Sequence, residues 1–150
     1  MSEAPLRIKR IIAPVDFSDP SPLALGYARA MAQTAQAEIL LLYVIEPVAY
    51  PAELGVVVNL EADLADRALA ELDKLRERYL GDYPNARTMV CHGVADQEIV
   101  EAATRENADL LIIGTHGFSG LKHMLLGSTA ERVIRSAPCP VLTVRHRPPA

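Results

Sequence analysis

The chain has 150 residues, half of them hydrophobic, and its 19 acidic and 15 basic side chains give a formal net charge of −4. This length matches one ordinary domain, whose buried core can stabilise the fold without disulfides or metals. The acidic balance and the lack of a basic run argue against a nucleic-acid surface, and the longest apolar runs are too short for insertion into a membrane.

The first residues and the cysteines give two further expectations. Residues 1–5, Met-Ser-Glu-Ala-Pro, have neither the positive charge nor the apolar stretch of a secretory signal, and we therefore expect a cytoplasmic protein. Two cysteines are too few for a disulfide framework, and no C-x-x-C pair suggests zinc or redox chemistry. We expect Cys91 and Cys139 to be buried free thiols.

Short apolar runs alternate along the chain with amphipathic stretches of helical spacing. This alternation is typical of βα units that build a mostly parallel sheet. The predicted strands are Arg10–Pro14, Glu38–Ile45, 86–91, 109–113 and 141–145. The second run is almost wholly apolar, as expected of a central strand that is covered on both faces. The sequence therefore predicts a single α/β domain.

Four helices are predicted between these strands. The first begins at Ser21 and Pro22, because serine caps free amides and proline tolerates the first helical position. The other three span about 60–80, 96–106 and 129–136. Asn107 follows the third of these four helices and suits a left-handed cap at its carboxyl end.

The connection 46–59, between the second strand and the second helix, is predicted to be irregular because it contains Pro47, Pro51 and Gly55. It also contains three consecutive valines at 56–58. The loop could fold onto its own domain, cover a ligand as a flap, or lie under a partner. The first of these interpretations is favoured a priori.

A glycine-rich segment, 114–128, lies between the fourth strand and the last helix. Its spacing is Gly114-x2-Gly117-x9-Gly127-Ser128, and it ends where the helix begins. Glycine lets successive backbone amides point into one concavity, and the free amides at the amino end of a helix attract anions. The hydroxyls of Ser128 and Thr129 would add donors. The segment therefore predicts a phosphate-binding site.

Together with this spacing, three segments resemble the universal stress protein family. They are Ile-Ile-Ala-Pro-Val-Asp-Phe-Ser at 11–18, Ala-Asp-Leu-Leu-Ile-Ile-Gly at 108–114 and Ser-Ala-Pro-Cys-Pro-Val-Leu-Thr-Val at 136–144. The resemblance implies one domain over 1–150, with a core of about 8–146. It also implies an adenine nucleotide alpha hydrolase-like fold, an open five-stranded parallel sheet of order 3-2-1-4-5 with helices on both faces.

The resemblance further implies that the ligand is ATP, with or without Mg²⁺. The chain would reverse direction between the first and fourth strands, and open α/β sheets bind ligands at such a reversal. Asp16 would lie beside the adenosine, near the side chains that line the adenine slot. The adenosine side of the site would be Pro14, Val15, Asp16, Val44 and Ile113. The residues that hold ribose and phosphates would be Gly114, Gly117, Gly127, Ser128 and Thr129.

These residues favour an ATP-binding regulatory module of the stress response. Nothing resembles a catalytic base, so we expect no dedicated enzyme and at most slow hydrolysis or autophosphorylation. The alternative is a nucleotide-independent dimeric interaction protein of the same fold, and the intact glycine spacing counts against it. A nucleotidyl-transfer enzyme fits less well, because its H-I-G-H and S-G-G-x-D-S signatures are missing.

The sequence also gives expectations for metal binding and for protein partners. The four histidines are scattered and no pair has zinc spacing, so we expect no metal held by the protein itself. The last strand, which runs from Val141 to Arg145, would form an exposed sheet edge of the kind that proteins cover or pair. In the family this edge pairs with its symmetry mate, which implies a homodimer. A further protein partner would be of unknown identity.

Overall fold

The structure is a computed structural model that describes residues 4–17, 20–47, 57–115 and 126–145. Strands and helices alternate along these residues. In chain order they are β1 (Arg10–Pro14), α1 (Pro20–Ala35), β2 (Glu38–Ile45), α2 (Val57–Leu80), β3 (Ala86–His92), α3 (Ala95–Arg105), β4 (Leu110–Gly114), α4 (Ser128–Ser136) and β5 (Val141–Val144). No helix within those ranges combines the length and the apolar character that a membrane crossing requires.

The five strands form one sheet of order β3-β2-β1-β4-β5, and each pair of neighbours is parallel. The predicted fold class is confirmed. The chain begins at the centre of the sheet with β1 and builds outward through β2 and β3. It then returns to the other side of β1 with β4 and β5. The reversal of direction therefore lies between β1 and β4, in the middle of the sheet.

Helices cover both faces of the sheet, and successive strand residues alternate between the two faces. On one face α1 and α2 complete a core cluster in which Leu25 of α1 and Ile11 of β1 are fully buried. On the other face α3 and α4 form a second cluster, which contains Ile12 of β1, Ile99 of α3 and Val133 of α4. Adjacent residues of β1 thus belong to opposite clusters, as a strand period of two requires.

All four helices begin earlier than the sequence predicted, α3 and α4 by one residue only. The second helix, α2, begins at Val57 rather than at residue 60, so the last residues of the connection 46–59 are helical. Residues 48–56 lie outside the described part of the chain. The first helix, α1, begins at Pro20, so Ser21, which was expected to cap the helix, lies with Pro22 in its first turn. Proline is tolerated there because first-turn amides have no acceptor within the helix.

Both cysteines are free, as predicted, and half-buried rather than fully buried. Burial raises the pKa of the Cys91 thiol, although nearby Arg105 opposes part of this effect. Burial also raises the pKa of the Cys139 thiol, and the carboxylate of Asp109 adds to the shift. Fewer thiolates form at neutral pH as a result, which makes both cysteines poor nucleophiles.

Candidate functional site

A gap opens in the middle of the sheet at the carboxyl ends of β1 and β4. Within the described residues the two strands pair at Ile11 with Leu110 and at Ile12 with Leu111. Beyond this point β1 stays with β2, where Pro14 pairs with Leu42. In the same way β4 stays with β5 to the end of the strand. Each strand follows its outer neighbour, so a crevice forms at the reversal of the chain, where open α/β sheets bind ligands.

The β1 side of the crevice is formed by Pro14, Val15 and Asp16. Pro14 is buried, and the amide of Val15 donates to the carbonyl oxygen of Leu42 at 2.8 Å, which extends the contact with β2. The next residue, Asp16, is exposed. The structure therefore places the predicted acidic side chain at the rim of the crevice, where it is accessible from solvent.

A strained turn follows Asp16. Phe17 has a φ of 63°, a left-handed conformation that costs a residue with a side chain roughly 1–2 kcal/mol. Its ring packs on Tyr43 of β2, with ring centroids 4.5 Å apart and planes inclined by 46°. Such ring contacts stabilise by about 0.5–1.5 kcal/mol, which offsets much of the strain. Asp16 thus lies between Val15, whose amide is hydrogen-bonded to β2, and Phe17, whose ring packs on β2.

The β4 side of the crevice connects three elements through Thr115. The strand ends with Ile113, which is 6% exposed, and half-buried Gly114. The amide of Thr115 then donates to the carbonyl oxygen of Val144 in β5 at 3.0 Å. Its own carbonyl oxygen accepts from the amide of Gly127 at 2.5 Å, immediately before α4. The beginning of α4 is therefore held against the end of β4.

Gly127 is required at this contact by close approach of the backbone. Its φ of −69° and ψ of 159° are accessible to any residue, so no left-handed conformation calls for glycine here. A Cβ at this position would however lie 2.9 Å from the carbonyl oxygen of Thr115. The sequence predicted Gly127 as part of a phosphate-binding segment, and the structure gives steric contact with the end of β4 as a separate reason for a glycine at this position.

The amino end of α4 has no side-chain cap among the described residues, because Gly127 occupies the capping position. Ser128 is exposed and Thr129 is half-buried at the start of the helix. Amides in a first turn have no acceptor within the helix and give this end a partial positive charge. The helix therefore offers amides without an acceptor in the helix itself, and two hydroxyl groups, beside the crevice, an arrangement suited to an anion.

The three side chains expected to line the adenine slot do not share one face of the sheet. Val44 and Ile113 both belong to the cluster formed with α3 and α4. Val15 belongs to the opposite cluster, formed with α1 and α2. A flat ligand on the α3 and α4 face would therefore meet the first two side chains and not that of Val15.

Part of the predicted site lies outside the described residues. Gly117 falls in the segment 116–125, which is outside the described part of the chain. Within the residues that it does describe, no group of three or more histidine, cysteine or acidic side chains could hold a metal ion.

Sequence reasoning missed one residue of this region, Thr115. Its side chain is 2% exposed, and its Oγ1 has no hydrogen-bond partner within the described residues. Buried hydroxyls are nearly always paired, so this one is unusual. The only signal in the sequence was a hydroxyl residue directly after the glycine that ends a buried strand.

The fold and the crevice define a parallel α/β domain with an opening at the carboxyl edge of its sheet and a helix without a side-chain cap, among the described residues, beside that opening. The chain belongs to the universal stress protein family, whose model matches residues 7–145. Universal stress protein MJ0531 of Methanocaldococcus jannaschii is 38% identical over 142 residues, which cover 91% of this chain and 82% of that protein.

Solved structures of the family have the same fold. UspA from Lactobacillus plantarum superposes with a TM-score of 0.82 at 28% identity, covering 94% of this chain and all of that one (100%). A universal stress protein in complex with cAMP has a TM-score of 0.68 at 23% identity, over 93% of this chain and 98% of that one. The universal stress protein from Archaeoglobus fulgidus in complex with dAMP has a TM-score of 0.58 at 18% identity, over 92% and 98% of the two chains.

Proposed function

We propose that this chain binds ATP, alone or with Mg²⁺, in the crevice between β1 and β4, and acts as a nucleotide-dependent regulatory module of the stress response in the cytoplasm. The observation that carries the proposal is the uncapped amino end of α4, held against the end of β4 through Gly127 and Thr115. Proteins of the same fold have been solved with cAMP and dAMP, both adenine nucleotides.

The crevice suits a nucleotide because its two sides differ in chemistry. Val44 and Ile113 offer an apolar surface on one face, which suits an adenine ring. Asp16, exposed on the β1 side, would accept hydrogen bonds from the adenosine. The phosphate oxygens would accept hydrogen bonds from the first-turn amides of α4 and from the hydroxyls of Ser128 and Thr129. Pro14 and Val15 would border the adenosine, and Gly114 and Gly117 would leave room for the ribose and phosphates.

Slow turnover, rather than fast hydrolysis, fits these residues. General base catalysis needs a group held within reach of the attacking water and tuned by its surroundings. The acidic side chain described at this crevice, Asp16, is exposed and is assigned to the adenosine side of the site. Mg²⁺ would be bound mainly by phosphate oxygens and would neutralise part of their charge. We expect phosphate release far below the roughly 10 turnovers per second of a median enzyme.

A charge placed at the beginning of α4 tests the proposal. Ser128→Glu adds a carboxylate where acidic residues favour a helix, so the fold should not suffer. The same carboxylate repels a bound phosphate, and calorimetric titration of nucleotide-stripped protein should show ATP binding weakened by about tenfold or more. Ser136→Glu makes the same change at the exposed far end of the helix and should bind ATP like the wild type.

Three results are possible besides the expected one. Wild-type protein that fails to bind ATP at millimolar concentration, with or without Mg²⁺, would refute the proposal. Equal ATP affinity of Ser128→Glu and wild type would mean that the amino end of α4 does not contact the phosphates. Equal weakening in both variants would indicate a general effect of charge and would also contradict the local contact.

We also propose that the chain forms a homodimer through β5. This strand pairs with β4 on one side and forms the edge of the described sheet on the other. The carbonyl oxygens of Pro140 and Val144 accept hydrogen bonds from the β4 side. Since backbone groups alternate along a strand, the amide of Thr143 faces the free edge. An unpaired edge of this kind is a ready template for another strand.

Substitution of the outward amide tests the dimer. Thr143→Pro removes that donor but leaves the bonds to β4 intact, because proline is tolerated on edge strands. Thr143→Val keeps the amide. Sedimentation at micromolar concentration should show a dimer for the wild type and for Thr143→Val, and a monomer for Thr143→Pro. A monomeric wild type would refute the dimer.

A further inference from the structure

The side of α1 that faces away from α2 is exposed, apolar and uncharged. Leu23 and Tyr27 lie one turn apart on this helix and are 42% and 51% exposed. The one charged residue among the 16 of α1 is Arg29, whose guanidinium donates to the carbonyl oxygen of Tyr79 in α2. Leu23 and Tyr27 are rotated from Arg29 by about 240° and 200° around the helix, so both project away from α2. An exposed helix side normally carries charged or polar residues.

This side of α1 borders the edge strand β5. On the same face of the sheet α2 lies over β2 and β3, whereas α1 reaches β4 and β5. The direction away from α2 is therefore the direction of β5, which is last in the sheet order. Leu142 of β5 is half-buried and packs on this face as well. Apolar side chains of the helix and of the strand thus border the same edge of the described sheet.

We infer that Leu23 and Tyr27 pack against the same two side chains of a second copy of this chain when β5 pairs with its symmetry mate. This inference rests on the proposed homodimer. Two copies of an edge strand that are related by a two-fold axis perpendicular to the sheet pair antiparallel, and the joined sheet is continuous. The α1 helices of both copies then lie on one face of it. Their sides that face away from α2 are directed toward each other, which makes the contact self-complementary.

The short length of β5 supports a contribution from α1. A stable dimer buries about 1,200–2,000 Å² in total, from roughly 20–30 residues of each copy. β5 has four residues, so the strand alone cannot supply such an interface. The rest must come from side chains beside the strand, and the cores of interfaces are enriched in tyrosine and depleted of charged residues. The uncharged side of α1, which exposes Tyr27, has this composition.

Glutamine at both positions tests the contact, because glutamine favours a helix and replaces the apolar groups without adding charge. Leu69→Gln is the matched control. Leu69 is 40% exposed on α2, and the acidic residues Asp66 and Asp73 lie one turn before and after it. Sedimentation equilibrium should show the dissociation constant of the dimer raised about thirtyfold or more in the Leu23→Gln and Tyr27→Gln double variant. Leu69→Gln should stay within about twofold of the wild type.

A cross-linking experiment measures the proximity of the two α1 helices directly. Tyr27→Cys places a thiol on the side of α1 that faces away from α2, and a short bis-maleimide should join two copies of this variant. Leu69→Cys places a thiol on α2 and should not be joined. The wild type, whose own two cysteines are free and half-buried, gives the background level.

The remaining outcomes separate this inference from the proposed dimer. A wild type that is monomeric at micromolar concentration would refute both. A double variant that dimerises like the wild type, while Thr143→Pro is monomeric, would refute the α1 contact and leave the β5 dimer intact. Equal weakening by Leu69→Gln would indicate a general effect of lost surface apolar groups and would also overturn the inference, as would cross-linking of Leu69→Cys as efficient as that of Tyr27→Cys.

Discussion

Replacement of Gly127 by alanine tests how the beginning of α4 is held against the sheet. The backbone angles at this position suit alanine, so the substitution introduces no torsional strain. The added Cβ would lie 2.9 Å from the carbonyl oxygen of Thr115. That oxygen belongs to the backbone, which is itself bonded to Val144, and it cannot move aside as a flexible side chain would. The two segments must therefore separate.

The expected loss of stability combines three contributions. Separation weakens the hydrogen bond between Gly127 and Thr115, which is worth about 0.5–1.5 kcal/mol. Alanine is a poorer capping residue than glycine and costs up to about 1 kcal/mol more. Alanine also lowers the conformational entropy of the unfolded chain, which stabilises the folded protein by about 0.4–1 kcal/mol. The free energy of unfolding should fall by about 1 kcal/mol.

Gly26→Ala provides a matched control for this measurement. Gly26 lies within α1, is exposed, and has no atom within 4 Å of the position that a Cβ would occupy. Alanine there should stabilise the protein by about 0.5–1 kcal/mol, because glycine is unfavourable inside a helix. Urea denaturation of both variants should therefore give shifts of opposite sign. Gly127→Ala as stable as Gly26→Ala would refute the steric argument.

Three further predictions concern residues away from the crevice. Asn107 has a φ of 51°, so Asn107→Gly should equal or exceed the wild type in thermal stability and Asn107→Ala should lose about 1 kcal/mol; equal stability of the two would contradict the left-handed cap. Tyr83→Phe removes a hydroxyl that donates to the carbonyl oxygens of Ala32 and Ala37, and should cost about 1 kcal/mol in urea denaturation. The raised thiol pKa values of Cys91 and Cys139 predict alkylation by iodoacetamide that is slow at neutral pH and accelerates as the pH rises; rapid modification of the folded protein at pH about 7 would contradict them.

Much of the fold follows from hydrophobic pattern. The apolar strands are confirmed, and α3 buries Ile99, Ala102 and Ala103 in the core. The left-handed cap at Asn107 is also confirmed. The beginning of α2 at Val57 was not predicted, because β-branched valines have low helix propensity. Tertiary contacts can override this propensity, and the hydrophobic pattern of the sequence does not show those contacts.

The site is less accessible to sequence reasoning than the fold. The faces of Val15, Val44 and Ile113 follow once the register is known, since Pro14 pairs with Leu42 and side chains alternate along each strand. The sequence does not give that register. The contact of Gly127 with Thr115 joins residues twelve positions apart, and the burial of a hydroxyl without a partner is a property of the packed molecule.

The most direct test of the central claim is a titration of ¹⁵N-labelled protein with ATP, followed by NMR chemical shifts of the backbone amides. If ATP binds in the crevice, the largest changes should fall on Asp16, Gly114, Ser128 and Thr129, around the carboxyl edge of β1 and β4. The amide of Arg10, which donates to Asp109 at the opposite edge of the sheet, should be unaffected. Changes centred on that opposite edge, or no changes at millimolar ATP, would contradict a nucleotide site in the crevice.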